Sequence, residues 1–490
     1  MNRKHFLTLL SGSLGASLLS RCANPQTNAQ LSEQVAETTR YVSEGGLLSL
    51  DLYARRGRAI VGGQTANLLS YNGQIPGPRL EVRAGDTVQI RFTNRLTAPT
   101  NLHYHGLHIS PSGKADNVFL KIPPGERFTY EFKIPANHPA TTAYYHPHLH
   151  GWVAQQIFGG LGGILVVRGA LDDIPEIQAA QEAFLFLKDF DLSAAAGQAQ
   201  PFHMAQMLGR EGPLLTVNGK VNLPLSIPAG GLLRLRLVNA STSRFYRLML
   251  EDHPFYLIAT DGGAIARPLE LSELLLAPGE RAEVLVQGNR EPGQYRLLNL
   301  PYNRGGMGMM GGRGMMGRGM MGRGMMGGPQ TAQAPQTLAT LTYVGKREPL
   351  SLPDSLLPVK ALPQPQTVRR FSLNHGMVPG QGMAFLINGN AFDGRRVDTR
   401  VQLRAIEEWD LVNTGMMDHP FHIHVNPFQI ISRNGQPETN RAWKDTVLVR
   451  VGETIRIRTA FRDFAGKTVY HCHILDHEDL GMMGLLEIKT

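Results

Sequence analysis

Tyr71-Asn72-Gly73-Gln74-Ile75-Pro76-Gly77-Pro78 leads into Leu80-Glu81-Val82-Arg83 and then into Asp86-Thr87-Val88-Gln89-Ile90-Arg91-Phe92, closing at Asn94. Polar and apolar side chains alternate along this stretch with period two. Asn-Gly and Pro-Gly pairs punctuate it, which is the pattern of half-buried strands joined by tight turns. The unit returns twice, as Val217-Asn218-Gly219 before Leu232–Asn239 and as Ile387-Asn388-Gly389 before Glu408–Asn413. A second element recurs as Pro124-Gly125-Glu126-Arg127, Pro278-Gly279-Glu280-Arg281 and Val451-Gly452-Glu453. A third pairs Asp252-His253-Pro254-Phe255 with Asp418-His419-Pro420-Phe421. Spacing of roughly 150 residues means repeated domains, not a solenoid. The sequence therefore predicts an all-β chain of three β-sandwiches, at 41–168, 172–345 and 365–490, after a leader at 1–40. The proline-rich run from Leu352 to Pro365 reads as the linker into the third, and helix is expected only in short stretches such as Ile174–Phe184.

Composition narrows the class. With 490 residues, 42% apolar and 18% charged, the chain can fill several cores and is not a disordered one. Its 54 glycines and 31 prolines favour short strands and turns over long helices. The net charge of +9 is dispersed, with no Lys/Arg block of the kind nucleic-acid binding needs. Two cysteines, Cys22 and Cys472, exclude a disulfide framework and a four-cysteine zinc site.

The N-terminus reads as an export signal. Arg3 and Lys4 precede an apolar run from Phe6 to Leu19 that is too short to span a bilayer. Arg3-Lys4-His5-Phe6-Leu7 resembles a twin-arginine signal with lysine for the second arginine, so a periplasmic or extracellular address is expected. Leu19-Ser20-Arg21-Cys22 loosely resembles a lipoprotein cleavage box, but Arg21 fits poorly, and a lipid anchor at Cys22 is not favoured. No other segment has 18 uninterrupted apolar residues, so no transmembrane span is expected.

Seventeen histidines is the unusual number in the composition, and the chemistry is to be sought among them. Four segments hold His-x-His: His103-Tyr104-His105, His146-Pro147-His148-Leu149-His150, His422-Ile423-His424 and His471-Cys472-His473. Chance placement would give roughly 0.6 such pairs, against the five present when His148/His150 is counted. In a strand, positions i and i+2 share a face, so each pair can aim two imidazoles into one space. Two segments lie in the first domain and two in the third, which predicts a centre shared between them. Zinc seldom needs eight imidazoles. Cys472, His419 and His477 form the trigonal set of a blue-copper electron-transfer site, with Met482 as weak axial thioether. Cys472 sits between His471 and His473, so its sulfur can hold one metal while its neighbours reach a second cluster.

These four segments resemble the four copper signatures of the multicopper oxidases, over nearly the whole chain after residue 41, and within that family the chain looks most like the laccases of thermophilic bacteria. The resemblance implies three cupredoxin-like Greek-key sandwiches and four copper ions. It implies a type 1 copper on His419, Cys472, His477 and Met482. The type 2 copper falls on His103 and His422. Two type 3 coppers fall on His105, His146, His148, His424, His471 and His473. It further implies one-electron oxidation of phenolic or similar donors at the type 1 copper, coupled to four-electron reduction of O2 to water. Glu478 and Asp116 match the family's outer-shell acids. A monomer is expected. His150 and His253 are read as non-ligands.

Residues 307–327 contain nine of the 19 methionines, with Arg-Gly-Met-Met-Gly three times in succession. Soft thioethers select Cu(I), so a cuprous oxidase is the alternative reading. A non-enzymatic copper-binding protein is a third, which the complete ligand set opposes. Met416, Met417 and Asp418 precede His419 and are expected to rim the type 1 site. Copper-exporting oxidases of the family place an aspartate where Gly415 stands here, which weakens the cuprous reading.

Overall fold

The computed structural model describes residues 38–193, 203–305, 334–380 and 382–490. The expected leader, Cys22 and the methionine tract lie outside the described residues. Among the described residues strands dominate, in six sheets that pair into three cupredoxin-like sandwiches. In the first, a four-stranded sheet (Gln64–Tyr71, Leu47–Val61, Thr87–Arg95, Arg127–Lys133) faces a five-stranded one. The latter ends in Gly163–Arg168, Thr141–His146 and His103–His105. Alternation does the folding here: along Leu47–Val61 the even positions Leu48, Leu50, Leu52 and Ala54 are buried, and they pack with Val88, Ile90 and Phe92 in one core. The second and third sandwiches each pair a six-stranded with a five-stranded sheet around their own cores.

The repeated turns are the same object three times. Asn72, Asn218 and Asn388 have φ of 52, 54 and 54°, and Gly73, Gly219 and Gly389 have φ of 77, 74 and 76°. Two successive positive φ values define the type I′ turn that matches strand twist and that Asn-Gly favours. Each asparagine also accepts a backbone N–H with its side chain, from Tyr53, Phe186 and Ser372 respectively.

One expectation is corrected. Within the expected helix Ile174–Phe184, only Pro175–Ala179 is helical, and Gln181–Phe190 is a strand lying parallel to Leu232–Asn239. The apolar run Phe184-Leu185-Phe186-Leu187 gains more by entering a sheet whose neighbours bury it than by extending a single turn of helix.

Candidate metal centres

The site begins with register. His103–His105 is an edge strand, and His103 lies opposite His146 on Thr141–His146. In the third sandwich His422 lies opposite His471, and Phe421 opposite Cys472. Directly opposed positions in an antiparallel pair put side chains side by side, so each sandwich presents a patch of imidazoles at one sheet. The two patches interleave. His103 stacks on His424 with ring centres 3.9 Å apart, and His105 on His422 at 3.8 Å. His148 Nε2 and His424 Nε2 stand 3.1 and 3.0 Å from His471 Nε2.

Nitrogen atoms converge in sets: His103, His105 and His146; His103, His422 and His424; and His148, His424 and His471. Within each set the nitrogens lie within 4.8 Å of one another. His103 and His422, expected to share a metal, fall in one set. His473, expected to hold a type 3 copper, is in none of these sets, but its ring lies beside them, 5.0 Å from that of His105 and 5.6 Å from that of His471. His150 is exposed and edge-on to Phe392, and His253 is satisfied by the Glu251 carbonyl and the Tyr343 hydroxyl.

A second, sulfur-bearing set lies on the other face of the strand Gly466–Cys472. Nδ1 of His419 and of His477 stand 3.5 and 3.7 Å from Cys472 Sγ. His477 is the middle of the short helix Leu475–Asp479. Phe385 stacks on its ring at 3.7 Å, and the Met207 carbonyl stands 3.2 Å from its Nε2. Met482 is wholly buried in the same core cluster, and its carbonyl accepts the Cys472 N–H.

The acids divide. Asp116 is buried, accepts His103 Nδ1–H at 2.8 Å and the Tyr104 N–H at 3.0 Å, and burial pushes its carboxyl up to about 8. Glu478 is fully buried, with Oε2 3.1 Å from His471 Nδ1 and Oε1 3.6 Å from His148 Nε2. Met416 is exposed and Met417 buried. Asp418 spends both oxygens, on the Tyr302 hydroxyl and the Val451 N–H. Gly305 bridges to Met417, and Gly415 lies over His419, where an added Cβ would stand 3.5 Å from Nε2.

Three family models described as multicopper oxidase match residues 54–171, 193–309 and 362–490. A multicopper oxidase from Campylobacter jejuni, described as a metallo-oxidase, superposes with a TM-score of 0.78 at 30% identity, covering 93% of this chain and 95% of that one. The chain belongs to the multicopper oxidases. Other relatives are the multicopper oxidase mco of Staphylococcus haemolyticus, 28% identical over 93% of this chain and 92% of that protein, and the cell division protein FtsP of Photorhabdus laumondii, 30% identical over 85% and 84%.

Copper is the family's cofactor, and the residues present fit it. Among the described residues, seven buried imidazoles have a nitrogen without a hydrogen-bond partner, five of them being His103 Nε2, His105 Nδ1, His146 Nε2, His422 Nε2 and His473 Nδ1. In each of these five, the opposite nitrogen is engaged: by Asp116, Asp445, the Pro147 carbonyl, the Asp445 carbonyl and the Tyr144 hydroxyl respectively. That is the arrangement that fixes a tautomer for ligation. Burial lowers His146 to about 3 and His148 to about 4, so both rings are neutral at neutral pH. Burial also pushes the Cys472 thiol far up, so a thiolate forms only where a soft cation replaces the proton.

Sequence reasoning missed Asp445, which touches His105 and joins His105 and His422 in a further convergent set. It also missed Arg281, which grips Asp445, and the Met207 carbonyl. Asp445 precedes the strand Thr446–Val449, which pairs with the strand carrying His419 and His422, and that adjacency was the available signal. Arg281 and Met207 left none.

Proposed function

We propose that this protein is a laccase-type oxidase holding four coppers. His419, Cys472, His477 and Met482 would hold the type 1 ion. His103 and His422 would hold the type 2 ion. His105, His146, His148, His424, His471 and His473 would hold the type 3 pair. Phenolic or similar small molecules would give electrons one at a time at the type 1 site, and O2 would be reduced to two waters at the other. The observation that carries this reading is Cys472: its sulfur meets His419 and His477, while its covalent neighbours His471 and His473 belong to the imidazole cluster.

Bound copper supplies the one-electron steps and stores the four electrons that O2 takes before its bond is cut. The chain does the rest. Cys472 provides a bonded path between the two sets. A cavity of about 200 Å³, walled by Leu107, Val425, Pro427 and Trp443, reaches His103, His422 and Asp445 and gives O2 and water a route. Asp116 and Glu478, which contact His103 and His471, would move protons to the imidazole cluster, and buried core surrounds the sulfur site.

A second reading, oxidation of Cu(I), is favoured by one observation. Gly305, which precedes the methionine tract in sequence, is bridged to Met417, two residues from His419. The metallo-oxidase description of the Campylobacter relative supports the same reading. Aerobic O2 consumption by copper-loaded protein, with a phenol and with Cu(I), ranks the two. Copper binding without O2 consumption from either donor refutes both. Cys472→Ser is expected to abolish the blue colour and the turnover together, and surviving turnover would refute the electron path. An exported location completes the proposal. Among the described residues no helix is long and apolar enough to cross a membrane.

A further inference from the structure

The second sandwich contributes no His-x-His pair, yet one of its turns reaches the imidazole cluster. The Gly-Glu turn noted in the sequence has a left-handed glycine in all three copies, with φ of +82° at Gly125, +84° at Gly279 and +73° at Gly452. What stands in front of it differs. A Cβ added at Gly125 or Gly452 meets nothing within 4 Å, whereas at Gly279 it would fall 2.7 Å from the ring of His473. The arginine two residues on differs likewise: Arg127 is exposed and Arg281 is 1% exposed.

Arg281 uses all five of its N–H donors. Nε donates to the Thr142 carbonyl at 3.1 Å, Nη1 to the Gly279 carbonyl at 3.0 Å, and Nη2 to the Asp261 carbonyl at 3.0 Å. The remaining pair takes Asp445 side-on, Nη1 to Oδ1 at 2.7 Å and Nη2 to Oδ2 at 2.6 Å. Thr142 belongs to the first sandwich and Asp445 to the third, so one guanidinium ties all three. Asp445 Oδ1 in turn accepts His105 Nε2–H at 3.0 Å and stands 3.5 Å from His422 Nδ1. Space is reserved for this arginine: a Cβ added at Gly106, next to His105, would overlap Nη2.

We propose that Gly279 and Arg281 are positioning residues for the trinuclear copper centre. The second sandwich presses its turn against His473 and fixes Asp445, and through Asp445 it sets the orientation of His105 and His422. This rests on the reading that these imidazoles hold copper. Groups that orient metal-ligating histidines are worth about 10–100-fold in metal affinity. Lysine cannot replace Arg281, because a point ammonium cannot hold both carboxylate oxygens and three carbonyls at once.

The test uses full-length, copper-reconstituted protein. Copper retained per chain against a graded chelator is measured with the type 2 electron-paramagnetic signal and the blue thiolate band. Gly279→Ala and Arg281→Lys are compared with Gly125→Ala and Arg127→Lys. Gly125→Ala carries the same positive-φ strain in open space, so it isolates the contact with His473 from the cost of the backbone. The expected result is trinuclear copper lost at about 10–100-fold lower chelator in the two site variants, with an altered type 2 signal and an unchanged blue band. The controls should match the parent. A parent-like type 2 signal and copper retention in Gly279→Ala overturns the proposal, as does loss of the blue band in step with the trinuclear copper. If Arg281→Lys does not fold, Gly279→Ala decides alone. If the unsubstituted protein takes up no trinuclear copper, the proposed function itself fails, before any variant is compared.

Discussion

Glu283→Gln should lower the melting temperature by several degrees. Glu283 lies two residues along the same strand from Arg281 and is 1% exposed. Its Oε1 accepts Arg236 Nη1 and Thr142 Oγ1, each at 2.7 Å, and its Oε2 accepts Arg234 Nε and Nη2 at 3.0 and 2.5 Å. Arg236 and Arg234 are themselves almost wholly buried. Their other partners, Asp172 and Glu182, keep more contact with solvent. Glutamine keeps the shape but removes the charge, and its amide N–H must face a guanidinium. Breaking a buried pair in this way costs about 3–5 kcal/mol, and the remaining carboxylates argue for ~3 kcal/mol. With ~2.1 cal/mol/K per residue, a sandwich of roughly 170 residues melting as its own unit gives a fall of about 8 °C. If the roughly 450 folded residues melt together, the fall is about 3 °C. Scanning calorimetry reads both the shift and which unit moves. Burial raises the Glu283 carboxyl, but Arg234 and Arg236 outweigh it and hold it below 4.5. The carboxylate's contribution is therefore present above pH 4.5 and lost as pH falls below it, so the gap between parent and variant should close in acid. A shift under about 1 °C at pH 7, or a gap that widens in acid, would refute the reasoning.

Three further outcomes are expected. Met482→Leu should raise the type 1 potential, since it removes a weak donor; redox titration of the blue band checks this, and a fall contradicts it. Asp116→Asn should slow O2 reduction by about 10–100-fold while leaving the blue band, because it removes a proton carrier hydrogen-bonded to His103; single-turnover reoxidation of the reduced protein separates the two. Burial holds His138 neutral, lowering it from 6.5 to about 4. The unfolded chain therefore binds the extra proton first, and stability contributed above pH 6.5 is lost as pH falls toward 4, by up to ~3 kcal/mol. Denaturant titrations of parent and His138→Gln across that interval should show the shallower slope in the variant.

What could be read from the sequence was local. The Asn-Gly turns at 72, 218 and 388 were legible because a type I′ turn is decided by two residues, and the His-x-His pairs because a strand repeats every two. The stretch Ile174–Phe184 was misread because a short apolar run serves either state. Its choice is made by Leu232–Asn239, some fifty residues downstream in the register it adopts. The roles of Asp445 and Arg281 were harder still to read, for the same reason in stronger form. They meet across 164 positions, and Asp445 meets His105 across 340, distances at which no periodicity carries information.

The same contacts sort the acids around the cluster by task. Asp445 is held by both terminal nitrogens of a buried arginine and by His105, which keeps its carboxyl far below the ordinary range despite burial. Such a group stays ionised and orients its neighbours, but it is a poor proton carrier. Among the described residues Asp116 has no cation beside it, only His103 and the Tyr104 N–H, and burial brings its carboxyl to about 8, where a proton can be both held and given up near neutrality. The difference between the two aspartates lies in Arg281. With Asp445 committed to structure, Asp116 is the better proposed proton carrier, since His148 and His471 hold the Glu478 carboxyl down to about 2 despite its burial. On the proposal above, the middle domain bears on the chemistry through Arg281, although it carries no His-x-His pair.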